Sequence, residues 1–276
     1  SNFILSEMRE KGASFDDVLK QAQKLGYAEA DPTFDIEGVD AAHKLTIVAA
    51  ISFGIPMQFS AAYTEGISKL TREDIRYAEE LGYRIKLLGI TRRKPNGIEL
   101  RVHPALIPAK RLIANVEGVM NAILVKGDAV GQTMYYGAGA GAEPTASAVV
   151  ADLVDVARTM TADPQNRVPH LAFQPDRLSD IAILPMGEVE TAYYLRMRVQ
   201  DKPGVLADIT RILADLGISI DAMIQKEPSE GEEQTDIIML THRTVEKHVN
   251  AAITKIEALP VVAGKVTRIR LEELDK

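Results

Sequence analysis

The chain of 276 residues contains no cysteine. Disulfides, thiolate nucleophiles and cysteine-ligated zinc are excluded together, and a cytoplasmic location is the expectation that fits. Basic residues are outnumbered, 32 against 39 acidic, for a net charge of −7, and they form no block. That balance speaks against nucleic acid or an anionic membrane as the main partner. No apolar run approaches the ~20 residues needed to cross a bilayer. The first residues show no signal-peptide pattern. GxSxG, Walker and HExxH patterns are missing as well. The five histidines (His43, His103, His170, His242, His248) are scattered without metal-ligand spacing, so no metal site is expected.

What remains is ordinary globular material, 46% apolar and 26% charged, enough for one large or two moderate domains. The chain opens on Ser1 and enters a helical pattern at once, from which a fragment of a longer protein is expected. A helix over 3–11 is closed by Gly12, and Ser14 with Asp17 forms a capping-box pattern for a helix ending at Gly26. Asp35 is the expected N-cap of a helix running to about Phe53. Thr71 and Asp74 repeat the capping pattern for a helix that stops at Gly82. Strands follow over 83–92 and 98–102 around a Pro-Asn-Gly turn, then over 119–125 and 130–136, and Pro144 is expected to open a long helix to about Met160. Four prolines between 163 and 185 mark a linker. The remainder reads strand, helix (204–216), strand (218–225), strand (236–240), helix (245–259), strand (265–271), with a polar loop at 227–233. The expected fold is α+β: an antiparallel sheet with helices over 1–161, a linker over 162–190, and a ferredoxin-like βαββαβ unit over 191–276.

Two stretches carry the chemistry. In "GYAEADPTFDIEGVDAAHK", Asp40 and Lys44 lie at i and i+4 on one helical face. Such a pair is commonly a surface ion pair worth under about 1 kcal/mol. The sharper alternative is an acid–base lysine held by a carboxylate in a cleft, with Glu29 as a substrate ligand on the preceding loop. In "YYGAGAGAEPTASAVVAD", Gly137, Gly139 and Gly141 stand between a strand and a helix. They suit either a tight turn or the close approach of a ligand to a helix N-terminus. The pattern is not read as a dinucleotide fingerprint, because its strand belongs to a hairpin and no second parallel strand follows.

Together these stretches resemble the substrate signature and glycine loop of the homoserine dehydrogenase family. The tail "VQDKPGVLADITRILADLGISI" is similar to an ACT domain, an amino-acid sensor. The resemblance implies NAD- or NADP-dependent interconversion of aspartate semialdehyde and homoserine. Lys44 would be the proton donor, and Glu29 and Asp40 would hold the substrate. Tyr27 and Asp35 belong to the same signature, while Gly26 and Gly141 would lie near the cofactor. It also implies that the family's nucleotide-binding domain is missing, so that this chain would hold half a site and little cofactor affinity. Asp201, Gly204, Val205 and Leu206 would form an effector site for threonine, with the amides of Val205 and Leu206 free at a helix N-terminus. A homo-oligomer is implied too. The competing expectation is a non-catalytic dimerisation and amino-acid-sensing module. A fragment of an ACT-bearing aspartate kinase is a weaker third, since no kinase-like segment is present.

Overall fold

A computed structural model describes residues 1–139, 141–161, 168–228 and 231–274. Parts of the expected linker (162–167) and polar loop (229–230) lie outside the described residues, as does Ala140 of the glycine loop. The chain begins with α1 (Asn2–Lys11), closed by Gly12 in the left-handed conformation, and α2 (Phe15–Lys24), where the Ser14 hydroxyl accepts from the Asp17 amide. The short α3 (Thr33–Ile36) leads into α4 (Val39–Phe53). After β1 (Tyr63–Thr64) comes α5 (Arg72–Glu80), whose Thr71–Asp74 capping box is complete. The long hairpin β2 (Tyr83–Lys94) and β3 (Gly97–Pro108) follows, then a separate hairpin, β4 (Met120–Gly127) and β5 (Gly131–Ala138), and then α6 (Ala142–Thr159). The C-terminal elements are β6 (Glu190–Gln200), α7 (Val205–Asp215), β7 (Ile220–Gln225), β8 (Gln234–Thr241), β9 (Thr244–Val245), α8 (Glu246–Glu257) and β10 (Val262–Leu271).

Two helix starts differ from expectation. Asp35 does not cap α4. It sits inside α3, and the chain reverses at Gly38 (φ 78°), the residue that caps α4. A side chain there would be strained by the positive φ and would press on Val102 and Thr64, so the turn selects glycine. α6 begins at Ala142, with Pro144 inside its first turn, where a missing N–H costs nothing.

The α+β fold class holds, with one addition. The antiparallel pair β2–β3 runs in unbroken register from Tyr83↔Pro108 to Lys94↔Gly97. The other edge of β3 is shared by two parallel partners: β1 at Arg101 and Val102, and β10 at Ala105 and Leu106. The C-terminal strands pair antiparallel in the order β10-β6-β8-β7, the ferredoxin-like arrangement, so that β10 welds them to β3 in one eight-stranded sheet. Apolar packing follows the same continuity. Ile4, Met8 and Leu106 share a core with Tyr194, Ile238 and Leu271, whereas Leu195, Ile209, Ile237 and Val249 form a core within the C-terminal unit. The described part of the proline-rich segment packs back against the first half. The Ser179 amide donates to the Gly54 carbonyl (2.7 Å), and Ile183 bridges to Ile98.

Candidate active site

α4 has two faces. Ala42, Leu45, Thr46, Ala49 and Ala50 are buried against the sheet, while His43, Lys44, Ile47 and Ile51 are exposed on the other side. On that side Lys44 Nζ lies 2.5 Å from Asp40 Oδ2, with the lysine side chain 72% exposed. The i,i+4 spacing therefore delivers the contact it promised, on a surface a ligand can reach. Asp40 lies in the first turn of α4, where the helix dipole favours a carboxylate. Asp40 takes one of the three donors of the ammonium, so Lys44 keeps donors for a ligand.

The surrounding loop is held locally. Gln23 donates to the carbonyls of Glu29 (3.0 Å) and Ala30 (3.2 Å), and the Asp31 carboxylate accepts from the Thr33 amide (3.1 Å). Hydrogen bonds from the Thr33 side chain and amide hold Asp31 below the usual carboxylate range. The carboxylate of Glu29 has no hydrogen-bond or ion partner among the described residues, so it is an exposed acceptor. Tyr27 is half exposed with its ring on Phe3 (centroids 5.1 Å), and Gly26 (φ 75°) has open space where a side chain would stand. Asp35 is engaged with the Ser1 hydroxyl and amino group. Gly141 (φ 127°) caps α6, a helix with no buried residue, at the end of the separate hairpin. The structure thus joins Asp40 to Lys44. Among the described residues, Glu29, Tyr27, Asp35 and Gly141 make no bond to that pair.

Sequence reasoning missed an aromatic clamp on the same face. The ring of His43 lies between Phe34 (5.3 Å) and Phe59 (4.2 Å). The aromatic at 34, nine residues before the histidine, was visible, but Phe59 belongs to a later turn that no periodicity connects to it.

It missed a buried charge cluster as well. Arg270 is fully buried, its guanidinium forked onto Glu246 (Nε 2.7 Å, Nη2 2.5 Å), with a third nitrogen on Glu65 (2.8 Å). Burial pushes Glu65 upward, but Arg270, the Tyr63 hydroxyl and Arg268 outweigh it and hold the carboxyl below its ordinary range. Beside the cluster, Arg101 can only donate to His103 Nε2 (2.6 Å), and the Pro104 carbonyl can only accept from Nδ1 (2.8 Å). This leaves a neutral, Nδ1-protonated imidazole. Burial, with Arg270 and Arg101 nearby, keeps its pKa well below the usual value.

At the far end of the C-terminal unit, Asp201, Lys202, Gly204, Leu206 and Gln225 line an open pocket of about 380 Å³. Gly204 (φ 94°) caps α7. The Val205 amide is not wholly free as expected: the tight turn aims it at the Lys202 carbonyl, 3.4 Å away. The Leu206 amide has no acceptor among the described residues.

An exposed carboxylate–lysine pair on one unit, and a ferredoxin-like unit with a pocket at a helix N-terminus, define a chain that joins a candidate catalytic surface to a candidate small-molecule-binding module. Residues 193–261 match the ACT domain. Residues 1–154 match the homoserine dehydrogenase model, and the chain belongs to the homoserine dehydrogenase family. It is 65% identical to homoserine dehydrogenase of Pseudomonas aeruginosa over 99% of this chain and 63% of that protein. With the Helicobacter pylori enzyme it shares 46% identity over 99% of this chain and 62% of the relative. The crystal structure of a homoserine dehydrogenase from Thiobacillus denitrificans superposes with TM-score 0.93 at 78% identity, covering 99% of this chain and 62% of that one. That of S. aureus gives 0.71 at 33% identity, covering 99% and 63%. The chain spans 61–63% of the length of the first three curated relatives.

Proposed function

We propose that this chain carries the substrate half of a homoserine dehydrogenase site and a regulatory amino-acid site. The observation that carries the reading is the exposed Asp40–Lys44 pair within a chain that matches this family. The reaction is the interconversion of aspartate 4-semialdehyde and homoserine. Lys44, directly or through a water, gives a proton to the carbonyl oxygen as it becomes an alkoxide, and its charge stabilises that oxygen while it forms. Asp40 orients Lys44, and Asp40 with the unpartnered Glu29 receives the substrate ammonium. Tyr27 and Asp35 shape the loop that carries Glu29. In the oxidative direction Lys44 accepts the proton of the hydroxyl.

When bound, a reduced nicotinamide cofactor, NADH or NADPH, would supply the hydride to the aldehyde carbon. The glycine loop fits one wall of its site. Gly141 exposes backbone at the start of α6, and Gly26 leaves open space beside the signature loop. No strand–glycine–helix unit of the dinucleotide type occurs among the described residues, and β5 pairs only with β4 in its own two-stranded sheet. This chain by itself therefore binds the cofactor weakly. Exposed Val149, Val150, Leu153 and Val156 on α6, and β7 at the open edge of the sheet, support a homo-oligomer. No helix among the described residues is long and apolar enough to cross a membrane, which accords with a cytoplasmic biosynthetic enzyme. The proposed units span 1–161 and 191–276, with 162–190 as their connection. Threonine, bound at Asp201, Gly204, Val205 and Leu206, is the proposed effector.

The test compares this chain with a full-length version that includes the remainder present in the relatives. Each is incubated with NADPH and aspartate semialdehyde. Turnover by the longer protein and none by this chain is the expected result. No turnover by either would favour a sensing and dimerisation module.

A further inference from the structure

Glu65 stands where the two halves of the molecule meet. It follows β1 directly, and its amide donates to the Val102 carbonyl of β3 (2.8 Å). Its carboxylate accepts from the Tyr63 hydroxyl (2.6 Å) and from Arg270 Nη1 (2.8 Å), and Arg268 Nη2 lies 3.5 Å away. Both arginines come from β10 of the C-terminal unit. Arg270 has no freedom to move. It is fully buried, forked onto Glu246 at the start of α8, donates to the Tyr63 hydroxyl (3.0 Å) and stacks over the Tyr63 ring at 4.9 Å. A two-point guanidinium–carboxylate fork fixes direction as well as distance.

On its other side Glu65 reaches the substrate signature. Its neighbour Gly66 is pressed so close to the turn before α4 that a side-chain carbon would collide with the Glu37 carboxylate and lie 2.5 Å from the Ile36 carbonyl. The Ile67 amide donates to that same carbonyl (2.9 Å). Gly38, the cap of α4, is packed in turn against Val102 and Thr64. Segment 64–66 therefore grips segment 36–38 at two points. Asp40 follows two residues later, and Lys44 one helical turn beyond it.

We infer that Glu65 is a positioning residue for Asp40 and Lys44, holding the entry to α4 in the place that Arg268 and Arg270 of the C-terminal unit dictate. The inference rests on the reading of Asp40 and Lys44 as the substrate site. Its consequence is that the C-terminal unit contributes to substrate affinity through β10 although it supplies no group to the reaction. A change in the tilt of β10 is felt first at Glu65, because the close-packed glycines leave no slack between them.

Two measurements test it on Glu65→Gln, which keeps the shape and the Tyr63 contact while removing the charge. Hydrogen exchange on the present 276-residue chain needs no activity. Amides between Ile36 and Lys44 should exchange about tenfold faster, with β6 and β8 unchanged, as expected for local opening. In the full-length enzyme, KM for aspartate semialdehyde should rise about 5–10-fold with kcat within about twofold, because positioning is lost while the proton donor is kept. Arg270→Lys should act in the same direction, and the double variant should be no worse than the more affected single one, as for two partners of one contact. Unchanged exchange in 36–44, exchange that accelerates across β6 and β8 as well, or additive effects on KM would overturn the inference. If the full-length wild type turned over no aspartate semialdehyde, the substrate assignment would fall, while the exchange result would still decide the role of Glu65.

Discussion

Two of the carboxylate–cation pairs in the molecule have opposite character. Asp40–Lys44 lies on an exposed helical face, and Glu246–Arg270 is buried in the C-terminal unit at the seam where Arg270 also meets Glu65 and Tyr63 of the first. An exposed pair contributes under about 1 kcal/mol to stability, whereas removing one partner of a buried pair costs several. The seam therefore maintains the architecture, and the surface pair is free to do chemistry without endangering the fold. Position in the fold, more than residue type, separates the two roles.

The largest effect should come from breaking the seam. Arg270→Ala leaves Glu246 buried without its fork and should destabilise the chain by about 3–5 kcal/mol, read as a lowered midpoint in urea. Lys44→Ala should leave stability, read from the same urea transition, within about 0.5 kcal/mol, as for a surface substitution.

A second prediction concerns acid. His103 is held neutral in the folded protein by burial and by the nearby arginines, while its unfolded form takes up a proton near the ordinary pKa of 6.5. The unfolded state then binds more protons, so stability is full above pH 6.5 and falls below it. The slope approaches about 1.4 kcal/mol per pH unit. The carboxyls of Glu65 and Glu272 lie below the ordinary 4.5, because arginine partners outweigh the upward push of burial. Their stabilisation is present above pH 4.5 and is lost as pH falls further. Urea midpoints of His103→Gln between pH 5 and pH 6.5 should be flatter than those of the wild type. An unchanged slope would place the acid sensitivity elsewhere.

A stability cost smaller than that at the seam is expected at the proposed effector pocket. Gly204→Asp finds open space for a side chain, but at φ 94°, so a cost of about 1 kcal/mol from backbone strain is expected. Its carboxylate would occupy the place proposed for that of the ligand. Threonine at concentrations that inhibit the wild-type full-length enzyme should no longer inhibit this variant, and calorimetry should detect no threonine binding. Inhibition that persisted would remove this pocket from the account.

Much of the surface pair was legible in the sequence, and almost none of the seam. Caps at Ser14 and Thr71, the hairpin turn before Gly97 and the i,i+4 spacing of Asp40 and Lys44 are local codes, and local codes can be read without a structure. The contact of Glu65 with Arg270 joins residues 205 apart. No periodicity encodes it, since it exists only because β10 runs parallel to β3. The start of α4 was misplaced for a related reason. Asp35 has the chemistry of a cap, but the tight approach of Val102 and Thr64 selects a glycine with positive φ three residues later. The glycine loop before α6 stayed ambiguous because, among the described residues, α6 buries no side chain and the β4–β5 hairpin pairs with no other strand.

Lys44 is the proposed proton donor, on a surface that the fold does not need for stability. The direct measurement is kcat for Lys44→Ala in the full-length enzyme, with urea midpoint and KM taken on the same preparation. The predicted result is a loss of about 10² or more in kcat at unchanged stability, the range expected for lost general acid–base catalysis. A folded variant whose kcat stays within about threefold of wild type, well short of such a loss, would contradict it.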